Sequence, residues 1–189
     1  MTQSVLERLR DATRLAHERL EERLDILASM QSLEGRRQLA ARFHSLHAGM
    51  ETALEPWLAP IEGLDFAARR RTRALADDLA ALGVEPPPSH SAPQPVDAAE
   101  ALGLMYVLEG SSLGGKVIRK QAERAGLDMT GLSFLDPYGA RTGEAWRQFL
   151  AVLERECPPQ DRTRGEAAAR GGVMGFAHVD RVLLEGVAS

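Results

Sequence analysis

Apolar residues recur at steps of three and four through the first 27 residues of the chain. That spacing is typical of an amphipathic helix with one face to bury. Ser4 precedes the stripe as a possible N-cap, and Glu7, three residues later, completes a capping box. The stripe consists of Leu6, Leu9, Thr13, Ala16, Leu20, Leu24 and Leu27.

The rest of the chain shows the same helical preference. Ala and Leu account for 54 of the 189 residues, whereas Ile and Val account for 13, and no alternating strand pattern stands out. Further helices are predicted from Ser32 to about Leu58 (with a bend or early stop at Pro56), Leu64 to Leu82, Asp97 to near Gly126, Gly143 to Cys157, and Arg164 to Gly186, with Leu127 to Thr142 irregular. Together they predict one all-α domain over residues 1–189, in which the proline-rich stretch 85–96 is an internal loop.

Charge and cysteine content exclude several classes of protein. A net charge of −4 argues against a nucleic-acid binder. The single cysteine, Cys157, excludes an intrachain disulfide framework and any multi-cysteine metal site. No apolar run approaches the roughly 20 residues that cross a bilayer, and the first ten residues lack the apolar core of a signal peptide. We therefore expect a cytoplasmic protein that binds neither nucleic acid nor membrane.

The helix predicted after Asp97 is interrupted by three glycines, Gly110, Gly114 and Gly115, which fall on roughly one side. Each costs about 1 kcal/mol relative to alanine, so the helix should kink there. Two explanations remain open from spacing alone. The missing Cβ atoms allow either close packing against another helix, which is the commoner case, or close approach of a flat ligand.

His17 lies beside the first apolar stripe, with Glu21 one turn later on the same face. A lone helical histidine is more often packed or solvated than functional. If it binds a metal, Glu21 can accept the Nδ1–H and leave Nε2 free. A single protein histidine suits a haem, because the porphyrin already supplies four ligands to the iron.

Other candidates are weaker. His44, His47 and Glu51 share a helix face but have no identifiable fourth ligand, so a solvated or packed face is favoured over a metal site. No base that could activate the Cys157 thiol can be identified from the sequence, and neither His90 nor His178 has an evident catalytic partner. The basic run 69–73 is predicted to be a solvated helix face, or else a docking site for an acidic electron-transfer partner.

Two segments resemble haem oxygenases when they are taken together. LRDATRLAHERLE resembles the family's proximal helix, and YVLEGSSLGGKVIRK, some ninety residues later, resembles the distal helix. The proline loop before the second segment is similar to that of bacterial members, particularly those that accompany phytochromes. The resemblance implies an all-α single-domain bundle that sandwiches haem b between the N-terminal helix and a kinked, glycine-rich helix.

The resemblance also implies roles for individual residues. His17 is the expected iron ligand, and Glu21 its hydrogen-bonding neighbour. Gly110, Ser111, Gly114 and Gly115 are expected to form the distal wall. The other expected haem contacts are Arg10 and Arg147 for the propionates, Thr13, Ala16 and Leu20 on the proximal face, Tyr106 or Tyr138 for a hydroxyl, and Phe176 and Val179 from the last helix. Many family members carry an aspartate where this chain has Ser111, so proton delivery is expected to rest on Ser111, Ser112, backbone groups and water.

The implied activity is O₂-dependent cleavage of haem at a meso carbon, α by expectation, to biliverdin, CO and Fe²⁺. Electrons are expected from an external donor such as a ferredoxin or a reductase, and a bacterial phytochrome is a possible bilin acceptor. A haem-binding or storage protein without turnover is the nearest alternative, since it needs the same His17 and pocket. A thiaminase-like or di-iron enzyme and a purely structural bundle are more distant alternatives.

Overall fold

The computed structural model describes residues 3–184, and all regular secondary structure in that range is helical. This confirms the predicted fold class. The helices are α1 (Val5–Arg23), α2 (Ile26–Met30), α3 (Leu33–Leu58), α4 (Phe66–Arg69), α5 (Thr72–Ala81), α6 (Ala98–Arg124), α7 (Thr142–Glu156) and α8 (Arg162–Leu184). Two 3₁₀ turns, Ser133–Leu135 and Gly139–Arg141, lie within the predicted irregular stretch. The predicted end of the last helix at Gly186 lies outside the described residues.

Caps set the beginnings of the long helices as the sequence predicts. The capping box of α1 is present, since the Glu7 backbone N–H donates to Ser4 Oγ at 3.2 Å and the Ser4 N–H donates to Glu7 Oε2 at 2.7 Å. Ser32 caps α3 through the Gly35 N–H at 3.0 Å. Pro56 does not stop α3 early, because the helix continues to Leu58.

Glycines let α6 and α8 approach each other at backbone distance. A Cβ added to Gly103 on α6 would lie 1.9 Å from the Ala168 carbonyl oxygen, and one added to Gly171 on α8 would lie 2.0 Å from the Glu100 carbonyl oxygen. Neither position therefore accepts a side chain without separating the helices. The hydrophobic core extends from this crossing to α1, α3 and α7 and includes Leu9, Leu46, Leu102, Leu104 and Phe149, each 0–2% exposed.

Two of the predicted helices are broken in the structure. The first apolar stripe extends to Leu27, but α1 ends at Arg23 and Asp25 caps the separate helix α2 through the Ala28 N–H at 2.9 Å. The predicted helix from Leu64 to Leu82 is also wrong, because Arg70 is extended (φ −70°, ψ 140°) between α4 and α5. The reason is a tertiary contact with Glu51 of α3, whose carboxylate accepts the first backbone N–H groups of α5.

The proline-rich connector lies against α3. The His90 backbone N–H donates to the Ser45 carbonyl at 3.1 Å, and Ser45 Oγ donates to the Pro88 carbonyl at 2.6 Å. Proline has no backbone N–H to donate, so the connector has few backbone hydrogen bonds of its own, and these two bonds to α3 hold it in place. The connector is thus tied to the bundle, although its placement inside a single domain stays a prediction.

Gly103→Ala and Gly114→Ala should have opposite effects on stability, although both glycines lie in α6. The first change forces a Cβ against a backbone carbonyl and should lower the free energy of unfolding by about 1–3 kcal/mol or more. The second puts a Cβ where no atom lies within 4 Å, and helix propensity should raise stability by up to about 1 kcal/mol. Denaturant titration of the haem-free proteins measures both. Equal effects would contradict the packing assigned to Gly103.

Acid should destabilise the protein in part through His178. This side chain is 0% exposed, and within the described residues neither ring nitrogen has a hydrogen-bond partner. Burial, with Arg181 and His90 nearby, lowers the pKa of His178 from 6.5 to about 4. As pH falls, the unfolded chain then binds more protons at this position than the native one. The stability contributed by the neutral His178 ring is therefore complete above pH 6.5 and is lost as pH falls towards about 4.

The Tm of His178→Leu should therefore fall less than the Tm of the wild type as pH is lowered over that interval. His17→Gln is the matched control, because it removes an exposed histidine. Scanning calorimetry of the haem-free proteins gives the Tm at each pH. Parallel Tm profiles for the wild type and His178→Leu would contradict the role given to burial of this ring.

Candidate functional site

A cavity of about 930 Å³ lies between α1 and α6, and α3, α7 and α8 supply further walls. Its lining is mostly apolar, with polar groups concentrated on the α1 side. The apolar lining includes Leu20, Leu24, Leu46, Tyr106, Val107, Phe134, Trp146, Phe176 and Val179. A large, open and largely apolar cavity with few polar groups suits an organic ligand that is itself largely apolar.

His17 and Glu21 line the α1 wall of this cavity, one helical turn apart. The Nδ1 atom of His17 lies 3.5 Å from Glu21 Oε2, and the histidine side chain is 56% exposed. The ring stands edge-on to Phe176 of α8, with ring centroids 5.8 Å apart and an interplanar angle of 74°. With Nδ1 turned to a carboxylate, Nε2 is the nitrogen available to a ligand.

The glycines of α6 divide into two kinds. Gly110 and Gly114 line the opposite wall of the cavity, and a Cβ added at Gly114 would meet no atom within 4 Å. Gly115 also borders the cavity, but its added Cβ would lie 2.3 Å from the Leu135 carbonyl oxygen. Gly115 is therefore packed against neighbouring backbone, whereas Gly114 leaves open space at the cavity wall, and the approach of a flat ligand to Gly114 stays a prediction. The helix remains α-helical through all three glycines, and the predicted kink stays a prediction.

The two serines after Gly110 also differ. Ser111 is exposed and lines the cavity, with its Oγ donating to the Leu108 carbonyl at 2.6 Å. Ser112 is buried and accepts a hydrogen bond from Arg71 Nη2 at 3.1 Å. Only Ser111 therefore presents its hydroxyl group to the cavity.

A set of buried and half-buried polar side chains lies next to the cavity, and the sequence patterns do not predict it. We call it the buried polar cluster; it consists of His47, Glu51, Arg69, Arg71, Thr72, Glu109, Ser112 and Tyr138. Arg69 pairs with Glu109 at 2.7 Å, and the Arg71 N–H donates to Glu51 at 2.6 Å. The Arg71 guanidinium lies 3.5 Å from Glu109 as well, so two arginine cations face this one carboxylate, whereas Glu51 accepts backbone N–H groups. These contacts offset the cost of burying the charges.

This cluster corrects one of the sequence predictions. The basic run 69–73 is a solvated face only in part, because Arg69 and Arg71 are 7% and 6% exposed, whereas Arg70 and Arg73 are exposed. The break before α5 turns Arg69 and Arg71 inward, which helical periodicity could not predict. His47 is buried against Glu51 at 3.3 Å, and no group of three or more metal-binding side chains occurs within residues 3–184. His47 and Arg71 both reach the cavity wall.

Ionisation in the cluster follows burial and hydrogen bonding. Burial lowers the pKa of His47, which favours the neutral ring. Burial alone would raise the pKa of Glu51, but hydrogen bonds from His47, Thr72 and the Arg71 backbone outweigh it and lower that pKa. Burial, together with the charge of Glu109, raises the pKa of Tyr138 to about 12. Glu51 is thus the anion on which the backbone of the α4–α5 junction depends.

The remaining predicted contacts are only partly brought together. The cavity lining includes Thr13, Tyr106 and Arg10. Burial raises the pKa of the Tyr106 hydroxyl, and the nearby charge of Arg10 partly offsets this rise. Arg147 is exposed on α7 and is not among the lining residues. Tyr138 also lies outside the lining, because its hydroxyl donates to Glu109 at 2.7 Å.

Ala16 and Cys157 also lie outside the lining. Ala16 packs against the hydrophobic core. Cys157 is fully buried, and burial raises the pKa of its thiol to about 11, which fits an inert side chain.

Comparisons with known proteins agree on one family. The sequence profile described as "Heme oxygenase" matches residues 3–171. The chain belongs to the haem oxygenase family. It is 36% identical over 148 residues to a haem oxygenase of Xanthomonas campestris pv. campestris, covering 75% of this chain and 84% of that protein. It is 34% identical over 157 residues to the haem oxygenase PigA of Pseudomonas aeruginosa, covering 78% and 76%.

The fold of a haem oxygenase is found independently in a solved structure. The NO- and CO-bound haem oxygenase from Neisseria meningitidis superposes with a TM-score of 0.77 at 24% identity, covering 98% of this chain and 94% of the other. Membership of the family shows that the protein is an enzyme, a haem oxygenase that uses O₂ to convert haem to biliverdin. Within residues 3–184, no helix is long and apolar enough to span a membrane.

Proposed function

We propose that haem b binds as substrate in the cavity between α1 and α6, with its iron held by His17. The observation that carries this proposal is the pairing of two unlike walls across one cavity. One wall presents an exposed imidazole, and the other presents Gly114 with no atom within 4 Å of an added Cβ. A flat, largely apolar macrocycle that needs one protein ligand fits between them.

Glu21 is proposed to orient the ligand imidazole. Its carboxylate, 3.5 Å from Nδ1, favours the tautomer that carries the proton there. Phe176 restricts the ring from the α8 side through its edge-on contact. Both contacts support ligation through Nε2, and the Glu21 carboxylate makes the imidazole a better electron donor.

The wall formed by α6 is proposed to leave room for O₂ while excluding strong acids and bases. Bound haem supplies the iron that activates O₂ and the ring that is oxidised. Gly110 and Gly114 keep side chains out of this space, and Ser111 adds one hydroxyl group. Glu109, the carboxylate next to Gly110, is committed to Arg69 and Tyr138 and is 1% exposed. Protons must therefore arrive through Ser111, backbone groups and water rather than through a carboxylate in this motif.

Arg10 is proposed to bind a haem propionate, because it lines the cavity beside Tyr106. This contact would fix the rotation of the ring and hence the meso carbon that is cleaved, α by expectation. Arg147 is exposed and does not line the cavity, so it is not placed to bind a propionate.

The reaction consumes electrons, and we propose that an external donor such as a ferredoxin or a reductase supplies them. The released bilin would serve a bacterial phytochrome, or the released iron would serve nutrition. A cytoplasmic location is proposed because the one cysteine, Cys157, fits a reducing compartment.

His17→Ala should abolish the absorption spectrum of histidine-ligated haem and haem turnover, because it removes the proposed ligand. His90→Ala is the matched control, since His90 lies outside the cavity lining. Haem titration followed by absorption, then reduction in O₂ with chromatography of the products, measures both properties. Normal biliverdin production by His17→Ala would overturn the assignment of the ligand.

Gly114→Leu should fold normally but block the space on the α6 side of haem. The open surroundings of Gly114 predict little change in Tm, whereas CO and O₂ binding should weaken and turnover should fall by at least about tenfold. Ligand binding to reduced haem and turnover measure the effect, with Gly114→Ala as the smaller step. Unaltered O₂ binding by Gly114→Leu would show that this glycine does not face the iron.

A further inference from the structure

Three buried positions fix α6 to its neighbours. Glu109, Ser112 and Gly115 recur at steps of three, and all are buried. Glu109 is held by Arg69, and Gly115 lies directly against the backbone of the Ser133–Leu135 turn. The rotation of α6 about its axis is therefore set by contacts along this face.

The cavity-facing positions are interleaved with these anchors. Gly110, Ser111 and Gly114 line the cavity, whereas Ser112 does not. Successive residues of a helix are about 100° apart around its axis, so any rotation that moves Ser112 moves Ser111 and Gly114 by the same angle. The contact made by Ser112 is therefore one of those that set which atoms of α6 face the cavity.

Arg71 makes that contact and joins it to the other anchors. Its Nη2 donates to Ser112 Oγ at 3.1 Å and lies 3.5 Å from Glu109 Oε1. Its guanidinium carbon is 4.5 Å from the centroid of the Tyr138 ring. The Arg71 side chain is 7% exposed and also reaches the cavity wall. One planar cation thus ties the cavity-bearing turn of α6 to the segment that follows α6.

Glu51 fixes the position from which Arg71 reaches α6. Its carboxylate accepts the Arg71 backbone N–H at 2.6 Å and the Thr72 hydroxyl at 2.6 Å. His47 Nδ1, one turn earlier on α3, lies 3.3 Å from the same carboxylate. The origin of the Arg71 side chain is thereby fixed relative to α3 rather than left to a mobile loop.

We propose that Arg71 is a positioning residue for the haem reaction. By holding Ser112 and Glu109, its guanidinium keeps Ser111 and Gly114 turned towards the space where a diatomic ligand meets haem iron. The inference rests on the proposed function of the cavity. It adds a residue that lies 39 positions before Gly110 in the sequence and acts through α6.

Infrared spectroscopy of CO bound to reduced haem tests this proposal. The CO stretching band reports the surroundings of the bound ligand, which a loss of stability alone does not change. Arg71→Met should shift and broaden the band, since α6 can then take more than one rotation. Ser112→Ala removes only the hydroxyl acceptor, so it should shift the band in the same direction by a smaller amount. CO dissociation should accelerate severalfold in both variants.

Arg70→Met is the matched control. Arg70 is the adjacent cation, but its ion pairs go to Glu51 and Glu55 of α3. Its removal should leave the CO band of the wild type in place even if the Tm falls. If Arg71→Met does not fold, Ser112→Ala carries the test, because it keeps the buried charges paired.

The outcomes separate this inference from the function on which it rests. CO bands of Arg71→Met and Ser112→Ala that coincide with the wild-type band would overturn the positioning role and leave Arg71 a purely structural residue. A wild-type protein that forms no haem–CO complex would overturn the proposed function, and this inference with it.

Discussion

The site depends on the packing of α6, whose two sides need opposite surroundings. At Gly103 the helix touches α8 at backbone distance, and at Gly115 it touches the Ser133–Leu135 turn in the same way. At Gly114 an added Cβ would meet no atom within 4 Å. A helix that is fixed by its backbone on one side can leave the other side bare without collapsing into the space, because close-packed contacts resist displacement.

The buried polar cluster adds direction to this packing. Backbone contacts at Gly103 and Gly115 limit how far α6 can move, but hydrogen bonds and ion pairs have preferred angles and so specify its rotation. Glu109 and Arg71 are the two charges that connect α6 to the α4–α5 junction, and Glu51 connects that junction to α3. The cavity is therefore bounded by elements whose relative positions are set by charges that water does not screen.

This arrangement explains how charged groups can lie close to the part of α6 around Gly110 and Gly114, which presents no charged side chain to the cavity. Ser111 contributes a hydroxyl group at the cavity, while the carboxylates of Glu109 and Glu51 are held in buried pairs. These charges thus hold α6 in place, but neither carboxylate lines the cavity. Such surroundings suit oxidation of the porphyrin ring rather than cleavage of O₂ by a strong distal acid.

The sequence by itself determined the helical fold and the caps at Ser4 and Ser32, because local spacing and capping chemistry act within a few residues. The sequence also indicated the two segments on opposite walls of the cavity, through their resemblance to the haem oxygenase family. It also brought together His17 and Glu21, because residues four apart on a helix are neighbours whatever surrounds them. Only the tertiary structure decided that Gly114 faces open space while Gly115 is packed, since adjacent glycines carry no local difference.

Tertiary structure likewise decided that Arg71 is buried, that Arg147 stays outside the cavity, and that the helix predicted from Leu64 to Leu82 breaks at Arg70. The break depends on Glu51, a carboxylate about twenty residues away that competes for the backbone N–H groups of α5. Periodicity in a single segment contains no information about such a competitor. The position of a buried charge is set by its partner, and only the folded chain brings the partner into contact.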